Sequence, residues 1–147
     1  MVFSRTGSSW FVAHTFSLFI QYILTRYAQT GSIALSSSIA TYRSTRSTLL
    51  TYPGPVAATQ INELTAHIYG TWTCLSGTVR LYAAYKLNNP EVYSIALCTF
   101  VIAFGHFVLE WIYFKRVKAE KGLVSALLVS SGSIVWMITQ RKYYLSE

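Results

Sequence analysis

The chain has 147 residues, of which 52% are hydrophobic and only 12% charged, whereas a soluble domain carries about 25% charged residues. This composition excludes intrinsic disorder and argues against a soluble enzyme domain. Twelve Lys and Arg residues against five acidic ones give a net charge of +7. The basic residues lie mostly in short stretches between apolar runs, which favours lipid headgroups over nucleic acid as the partner. An integral membrane protein is therefore predicted.

The first third of the chain predicts one membrane span, because about 20 mainly apolar residues cross a bilayer. The span falls within 10–42, and its register is left open at about 17–40. Arg5 precedes a short apolar run, as in a signal peptide, and the acid-free start also resembles a mitochondrial presequence. Neither pattern comes with a good cleavage site, so processing is left open. Residues 43–64 are predicted to form a polar loop around the turn Tyr52-Pro53-Gly54-Pro55.

Three further spans are predicted at 66–85, 92–114 and 122–139. The turn signal Asn88-Asn89-Pro90-Glu91 separates the first two, and a basic stretch at 115–121 separates the last two. The whole chain, 1–147, is thus predicted to be a single all-α, multi-pass membrane domain with four transmembrane helices. Its two longer loops hold six basic residues against four on the opposite side, which favours a cytosolic position for those loops.

Charged side chains inside predicted spans are candidates for function. Arg80 and Glu110 lie on neighbouring spans, but their distances from the intervening turn put them about 20 Å apart in depth, so a direct ion pair is not expected. Both could instead reach opposite interfaces, or face a partner helix or another protein. His106 and Glu110 share one helix face. His67 and His106 could lie at similar depth, which leaves a haem-binding pair as an alternative.

Small residues in the later spans predict close helix contacts. Gly122, Ala126 and Ser130 recur at a spacing of four, and Gly105 lies in the preceding span. Small side chains let helix backbones approach closely in lipid. The aromatic residues near span ends, Trp72 among them, are typical of interfacial belts. The residues predicted to contact partners are Trp72, Arg80, Gly105, His106, Glu110 and Gly122.

No catalytic, cofactor-binding or metal-binding set is predicted. The chain has no dinucleotide or phosphate-loop glycine motif, and the absence of Asp excludes a Ser-His-Asp triad. Cys74 and Cys98 lie in apolar runs and are expected to be free thiols. The segment Leu81-Tyr82-Ala83-Ala84-Tyr85-Lys86 fits a loose cholesterol-contact pattern. Direct sterol binding is left open.

Several short segments, taken in order and at their spacing, carry a family resemblance. They are Leu64-Thr65-Ala66-His67-Ile68-Tyr69-Gly70-Thr71-Trp72-Thr73, Arg80, Leu87-Asn88, Phe104-Gly105-His106-Phe107, Glu110, Lys121-Gly122-Leu123, Ser133, Trp136-Met137 and Gln140-Arg141-Lys142-Tyr143-Tyr144. Together they resemble the ergosterol biosynthetic protein 28 family, from about Leu64 to Tyr144. Upstream the resemblance fades to Ser38-Ile39-Ala40-Thr41-Tyr42. His67 stands where the family usually has Arg, and Tyr69 where it has Phe.

The resemblance implies a multi-pass endoplasmic-reticulum protein with no catalytic activity of its own and no cofactor. Such a protein would be a scaffold that tethers the sterol C4-methyl oxidase, C4 decarboxylase and 3-keto reductase, with contact to the sterol C24 methyltransferase also implied. Self-association is left open. The alternatives are a small membrane enzyme or haem-binding subunit, and a mitochondrial membrane assembly factor.

Overall fold

The computed structural model describes residues 28–145, apart from the side chain of residue 143, and all its regular secondary structure within that range is helical. The all-α class is thereby confirmed for the described part of the chain. The helices in chain order are α1 (28–43), α2 (Thr45–Thr51), α3 (Pro55–Gln60), α4 (Glu63–Tyr85), α5 (Pro90–Val108) and α6 (Lys121–Tyr144). A short π-helical turn, Leu109–Tyr113, directly continues α5.

Local sequence signals set the starts of the two helices that carry most of the site. Asn62 caps α4 by accepting a hydrogen bond from the Thr65 N–H, while the Thr65 hydroxyl accepts one from the Asn62 N–H. Asn89 caps α5, and Pro90 fills its first position, where no N–H is needed. These caps fix where each helix begins and therefore which residues face the interior.

Helix α1 packs closely against α4 through small residues. The Ser38 hydroxyl donates to the Gly70 carbonyl over 2.6 Å, and a Cβ on Gly77 would lie 3.0 Å from the Ala34 Cβ. The Tyr42 ring stacks on His67 with centroids 4.7 Å apart. Small side chains are the usual means of bringing helix backbones together where hydrophobic burial gives little drive.

Helices α4 and α5 run antiparallel, because Arg80 contacts Thr99 while Trp72 contacts His106. Between α5 and α6 lies a buried cluster that includes Tyr93, Phe100 and Met137. The Tyr93 hydroxyl donates to the Met137 carbonyl over 2.6 Å. This bond satisfies a buried polar group and fixes the relative axial position of the two helices.

The segment predicted as a polar loop, 43–64, contains the two short helices α2 and α3, and it folds back onto the ends of the long helices. The Lys118 N–H donates to the Pro53 carbonyl over 2.7 Å. Gly54 has a φ of 144° and lies against the Arg116 carbonyl, so a residue with a Cβ would be strained there. The segment therefore forms a structured cover over one end of the helix bundle.

By length and composition, two described helices could cross a membrane: Pro90–Tyr113 and Lys121–Lys142. Only 28% and 17% of their most apolar stretches are buried within the described chain, whereas a core helix of a soluble protein would be largely covered. Helix α4, which contains the predicted span 66–85, is 23 residues long. It is not one of the described helices that are long and apolar enough to cross a membrane. The predicted first span, about 17–40, lies partly outside the described residues, so four crossings remain a prediction.

We predict that Gly122→Ala destabilises the fold. A Cβ there would overlap the Leu50 carbonyl of α2, and overpacking of this kind costs about 1–3 kcal/mol. Gly132→Ala, on the same helix, is the matched control, because a Cβ at Gly132 meets nothing within 4 Å among the described residues. Thermal unfolding in detergent should show a lower Tm for Gly122→Ala alone; equal Tm values would contradict the close α2–α6 contact.

Candidate functional site

A cavity of about 490 Å³ lies beneath the α2–α3 cover, between α4 and the end of α5. This volume is in the range of small-molecule sites, which is roughly 300–1,000 Å³. Its wall combines aliphatic and aromatic side chains with a few polar groups. The wall residues are Thr48, Tyr52, Ala57, Gln60, Ile61, Thr65, Ile68, Tyr69, Trp72, Ile102, His106, Glu110, Arg116 and Val117.

A hydrogen bond between Tyr52 and His106 lies at the polar centre of the wall, with 2.8 Å between the phenol oxygen and Nε2. Tyr52 comes from the turn after α2, and His106 from the last turn of α5. Burial, followed by the neighbouring Tyr69 and Glu110, raises the pKa of the Tyr52 phenol above its ordinary value. Tyr52 therefore stays a neutral hydroxyl at physiological pH.

Aromatic rings surround this hydrogen bond. The Trp72 ring meets His106 edge-on at 5.6 Å, and the Tyr69 ring meets Tyr52 edge-on at 5.3 Å. The Phe107 ring lies 5.5 Å from Tyr52. Edge-on aromatic pairs of this kind are favourable beyond the area they bury, so the rings hold Tyr52 and His106 in one arrangement.

Glu110 lies in the π-helical turn that follows α5, one helical turn beyond His106. Its carboxylate is 3.7 Å from the Arg116 guanidinium, with side-chain exposures of 18% and 43% respectively. Arg116 also lies over the Phe114 ring, 4.7 Å from its centroid. Widened π turns are frequent at functional sites, and here the turn brings one balanced pair of charges to the rim of the cavity.

Thr48, on α2, completes the polar part of the wall. The residue is buried, and its hydroxyl has no hydrogen-bond partner among the described residues. A buried hydroxyl left unpaired usually costs about 1–3 kcal/mol. The wall thus contains more hydrogen-bonding capacity than it uses internally.

Three of the six residues predicted to contact partners meet in this cavity: Trp72, His106 and Glu110. Arg80 does not join them. Its guanidinium donates to the Thr99 hydroxyl over 3.2 Å and lies 4.0 Å above the centre of the Phe100 ring. Arg80 therefore faces α5 of the same chain rather than the cavity.

The two predicted contact glycines have opposite surroundings. Gly122 lies against the backbone of α2, so its small size serves packing within the chain. Gly105, by contrast, has open space where a Cβ would lie, with nothing within 4 Å of that position among the described residues. Gly105 is therefore the predicted contact residue that leaves an open notch on the surface of α5.

The alternative haem-ligand pair, His67 and His106, is engaged by different neighbours. His67 stacks on Tyr42 of α1, while His106 Nε2 bonds to Tyr52. Within residues 28–145, no three His, Cys or acidic side chains are grouped to hold a metal ion. Cys74 and Cys98 are free, as expected, and both are exposed in the described chain.

Sequence reasoning missed Thr48, Tyr52 and Arg116 as members of the site. All three come from segments interpreted as connections, because polar and turn-forming residues there pointed to loops. The Tyr-Pro-Gly-Pro turn was the available signal, since two prolines and a glycine directly after a tyrosine indicate a rigid turn that can present an aromatic side chain.

The fold and cavity together define a class of protein: a small helical protein with apolar helices long enough to cross a membrane and a partly polar cavity at one end of them. Comparison with known families gives a match over most of the chain. The sequence model described as Erg28 like protein matches residues 12–135. The chain therefore belongs to the Erg28 family, a family of ergosterol biosynthesis.

Similar curated proteins agree with this assignment. The ergosterol biosynthetic protein 28 of Candida albicans is 39% identical over 114 residues, covering 78% of this chain and 81% of that protein. The protein of the same name from Saccharomyces cerevisiae is 38% identical over 86 residues, covering 58% of each chain. The Mus musculus homolog is 36% identical over 87 residues, 59% of this chain and 62% of that protein. No solved structure gives a significant match.

The resemblance stated from the sequence is thus confirmed. The family match also begins further upstream than Leu64, where the main resemblance started, and it includes the whole of the first predicted span, about 17–40.

We predict that Tyr52→Phe changes the response of the fold to alkaline pH. Because the folded pKa of Tyr52 is raised, its neutral form contributes full stability below about pH 10, and this contribution is lost as the pH rises above that value. The control is Tyr82→Phe, because Tyr82 is 57% exposed. When the pH is raised from about 9 to about 11, the Tm of Tyr52→Phe should therefore fall less than the Tm of Tyr82→Phe.

At neutral pH the same variant should be less stable than Tyr82→Phe by about 0.5–1.5 kcal/mol, because the bond to His106 is lost. Thermal unfolding in detergent measures both effects. If the two variants had the same Tm at neutral pH and the same alkaline slope, the Tyr52–His106 bond would not matter to the fold.

Proposed function

We propose that this protein is a non-catalytic scaffold of the endoplasmic-reticulum membrane that holds the sterol C4-demethylation enzymes together. Those enzymes are the C4-methyl oxidase, the C4 decarboxylase and the 3-keto reductase, with the C24 methyltransferase as a further partner. Membership of the Erg28 family is the observation that carries the proposal.

The surfaces of α5 and α6 support a tethering role. Both helices expose large aliphatic side chains along their length, for example Ile95 at 56%, Leu128 at 67% and Ile138 at 61%. In a bilayer such faces contact lipid or other helices, and open small-residue positions favour helix contacts. Gly105 and Gly132 are two such positions. The chain therefore offers helix faces that its own described residues do not cover.

Tethering would act through effective concentration. Enzymes bound to one scaffold pass an intermediate between sites as a nearly intramolecular step, and linked sites of this kind reach effective concentrations of about millimolar. Sterol intermediates are poorly soluble in water, so transfer within one membrane assembly avoids their release. No catalytic residue of this chain is needed for that effect.

We predict that Gly105→Leu weakens co-purification of the C4-demethylation enzymes. A Cβ at Gly105 meets nothing within 4 Å among the described residues, so we expect a leucine there to extend into the open space and obstruct a partner helix while the protein stays folded. Loss of one such contact corresponds to about tenfold lower recovery, or about 1.4 kcal/mol. Quantitative mass spectrometry after affinity purification in mild detergent measures the recovery.

Gly70→Leu serves as the comparison, because it disturbs the α1–α4 contact inside the chain and should lower Tm. Gly105→Leu should keep the parental Tm. If Gly105→Leu recovered the enzymes in parental amounts, Gly105 would be removed from the contact surface; if the parental protein recovered none of them, the scaffold proposal would fail.

Deletion of the gene provides the test of the pathway. We expect 4-methyl or 4-carboxy sterol intermediates to accumulate, because the enzymes that consume them would no longer be held together. Sterol analysis by gas chromatography measures them. A normal sterol profile would contradict the assignment to C4 demethylation.

A further inference from the structure

We propose that the cavity beneath the α2–α3 cover binds an uncharged 3-hydroxysterol, with the sterol hydroxyl at the Tyr52–His106 pair and the rings against Trp72. This inference deepens the proposed function and rests on it for the choice of sterol as the lipid. It gives the chain a binding site for the pathway's own class of molecule, in addition to its protein contacts.

The polarity of the wall changes along the helix axes in the way a membrane sterol requires. Ile102 precedes Glu110 by eight residues on α5, about 12 Å along the axis. The polar groups Glu110 and Arg116 lie at the end of α5 that leads to the basic loop. Trp72 lies level with His106, which its ring contacts, and Ile102 lies about one helical turn deeper on α5. A sterol in a bilayer likewise has its hydroxyl at the headgroups and its rings among the acyl chains.

The hydrogen-bonding capacity at the polar end suits a hydroxyl. The Tyr52 phenol and His106 share one bond, and a phenol can both donate and accept. If Tyr52 donates to His106, its oxygen can still accept; if His106 donates, the Tyr52 proton remains to be donated. A sterol hydroxyl can fill either role. The Thr48 hydroxyl in the same wall has no partner among the described residues.

The charges of the wall argue against an ionic headgroup. Its Glu110 carboxylate and Arg116 guanidinium are 3.7 Å apart and of opposite sign. A phosphate or carboxylate ligand would have to compete with Glu110 for the one guanidinium. An uncharged hydroxyl leaves this pair intact.

The cavity can be reached from the lipid. Ile68 on α4 and Ile102 on α5 belong to its wall and are also 60% and 59% exposed. The wall therefore extends to the outer surface between the two helices. We expect the sterol to enter there, with its flexible tail remaining in the bilayer, because a cavity of about 490 Å³ suits the ring system better than the whole lipid.

Photolabelling of the purified full-length protein tests the proposal. The probe is a diazirine-bearing 3β-hydroxysterol in phosphatidylcholine nanodiscs, and labelled residues are located by mass spectrometry. We expect labelling to concentrate on cavity residues such as Trp72 and Ile68. Excess ergosterol should compete, whereas its 3-methyl ether and dioleoylglycerol should not. Labelling spread evenly over the exposed faces of α5 and α6, or equal competition by dioleoylglycerol, would overturn the proposal.

Two variants of α5 make the test independent of folding. Ile102→Trp should obstruct the entrance and reduce cavity labelling about tenfold, equivalent to about 1.4 kcal/mol. Ile95→Trp is the matched control, since Ile95 is 56% exposed and lies outside the wall, and it should label as the parent does. Equal labelling of both variants would overturn the proposed entrance and site.

Because the enzymes are absent from this experiment, its result is separate from that of co-purification. Cavity labelling without enzyme recovery would refute the scaffold and support the sterol site. Recovery of the enzymes together with evenly spread labelling would support the scaffold and refute the sterol site.

Discussion

The hydrogen bond between Tyr52 and His106 is the interaction on which the arrangement of the site depends. It joins the segment before α3 to the last part of α5, two parts of the chain separated by 54 positions. The Pro53–Lys118 backbone bond lies beside it in sequence and connects the same turn to the loop before α6. Together these bonds hold the α2–α3 cover over the helix ends, and without the cover there would be a groove where there is now a cavity.

The two charged side chains Arg80 and Glu110 are stabilised in different ways. Arg80 is satisfied by a hydroxyl, a carbonyl and a ring of α5, so the interior of the bundle contains a cation that needs no carboxylate. Glu110 finds its counter-ion in the loop that follows its own helix. Isolated charges at membrane depth are costly, and each of these two is matched by groups close by in the fold.

The sequence was most informative where long apolar runs or helical spacing determined the structure. The apolar runs of α5 and α6 predicted helices that the structure contains, and the cap at Asn89 and the basic loop marked their ends. The shared face of His106 and Glu110 followed from helical spacing alone. The cover could not be predicted in this way, since α2 and α3 are seven and six residues long and are held by contacts distant in sequence. Tyr52 was named only as part of a turn and among the aromatic residues near span ends, because nothing local connects it to His106.

The π-helical turn at Leu109–Tyr113 has a consequence for how this protein can change in evolution. Each residue of an α-helix rotates the chain by about 100°, and a π turn contains one residue more than an α turn would. Removing one residue from this turn would therefore restore a regular α turn and leave the rotational phase of the residues on either side nearly unchanged. The apolar helix would survive intact, although the widened backbone from which Glu110 projects would be lost. A single-residue deletion is thus easier to accommodate here than in the regular turns of α5, where it would rotate all that follows by about 100°.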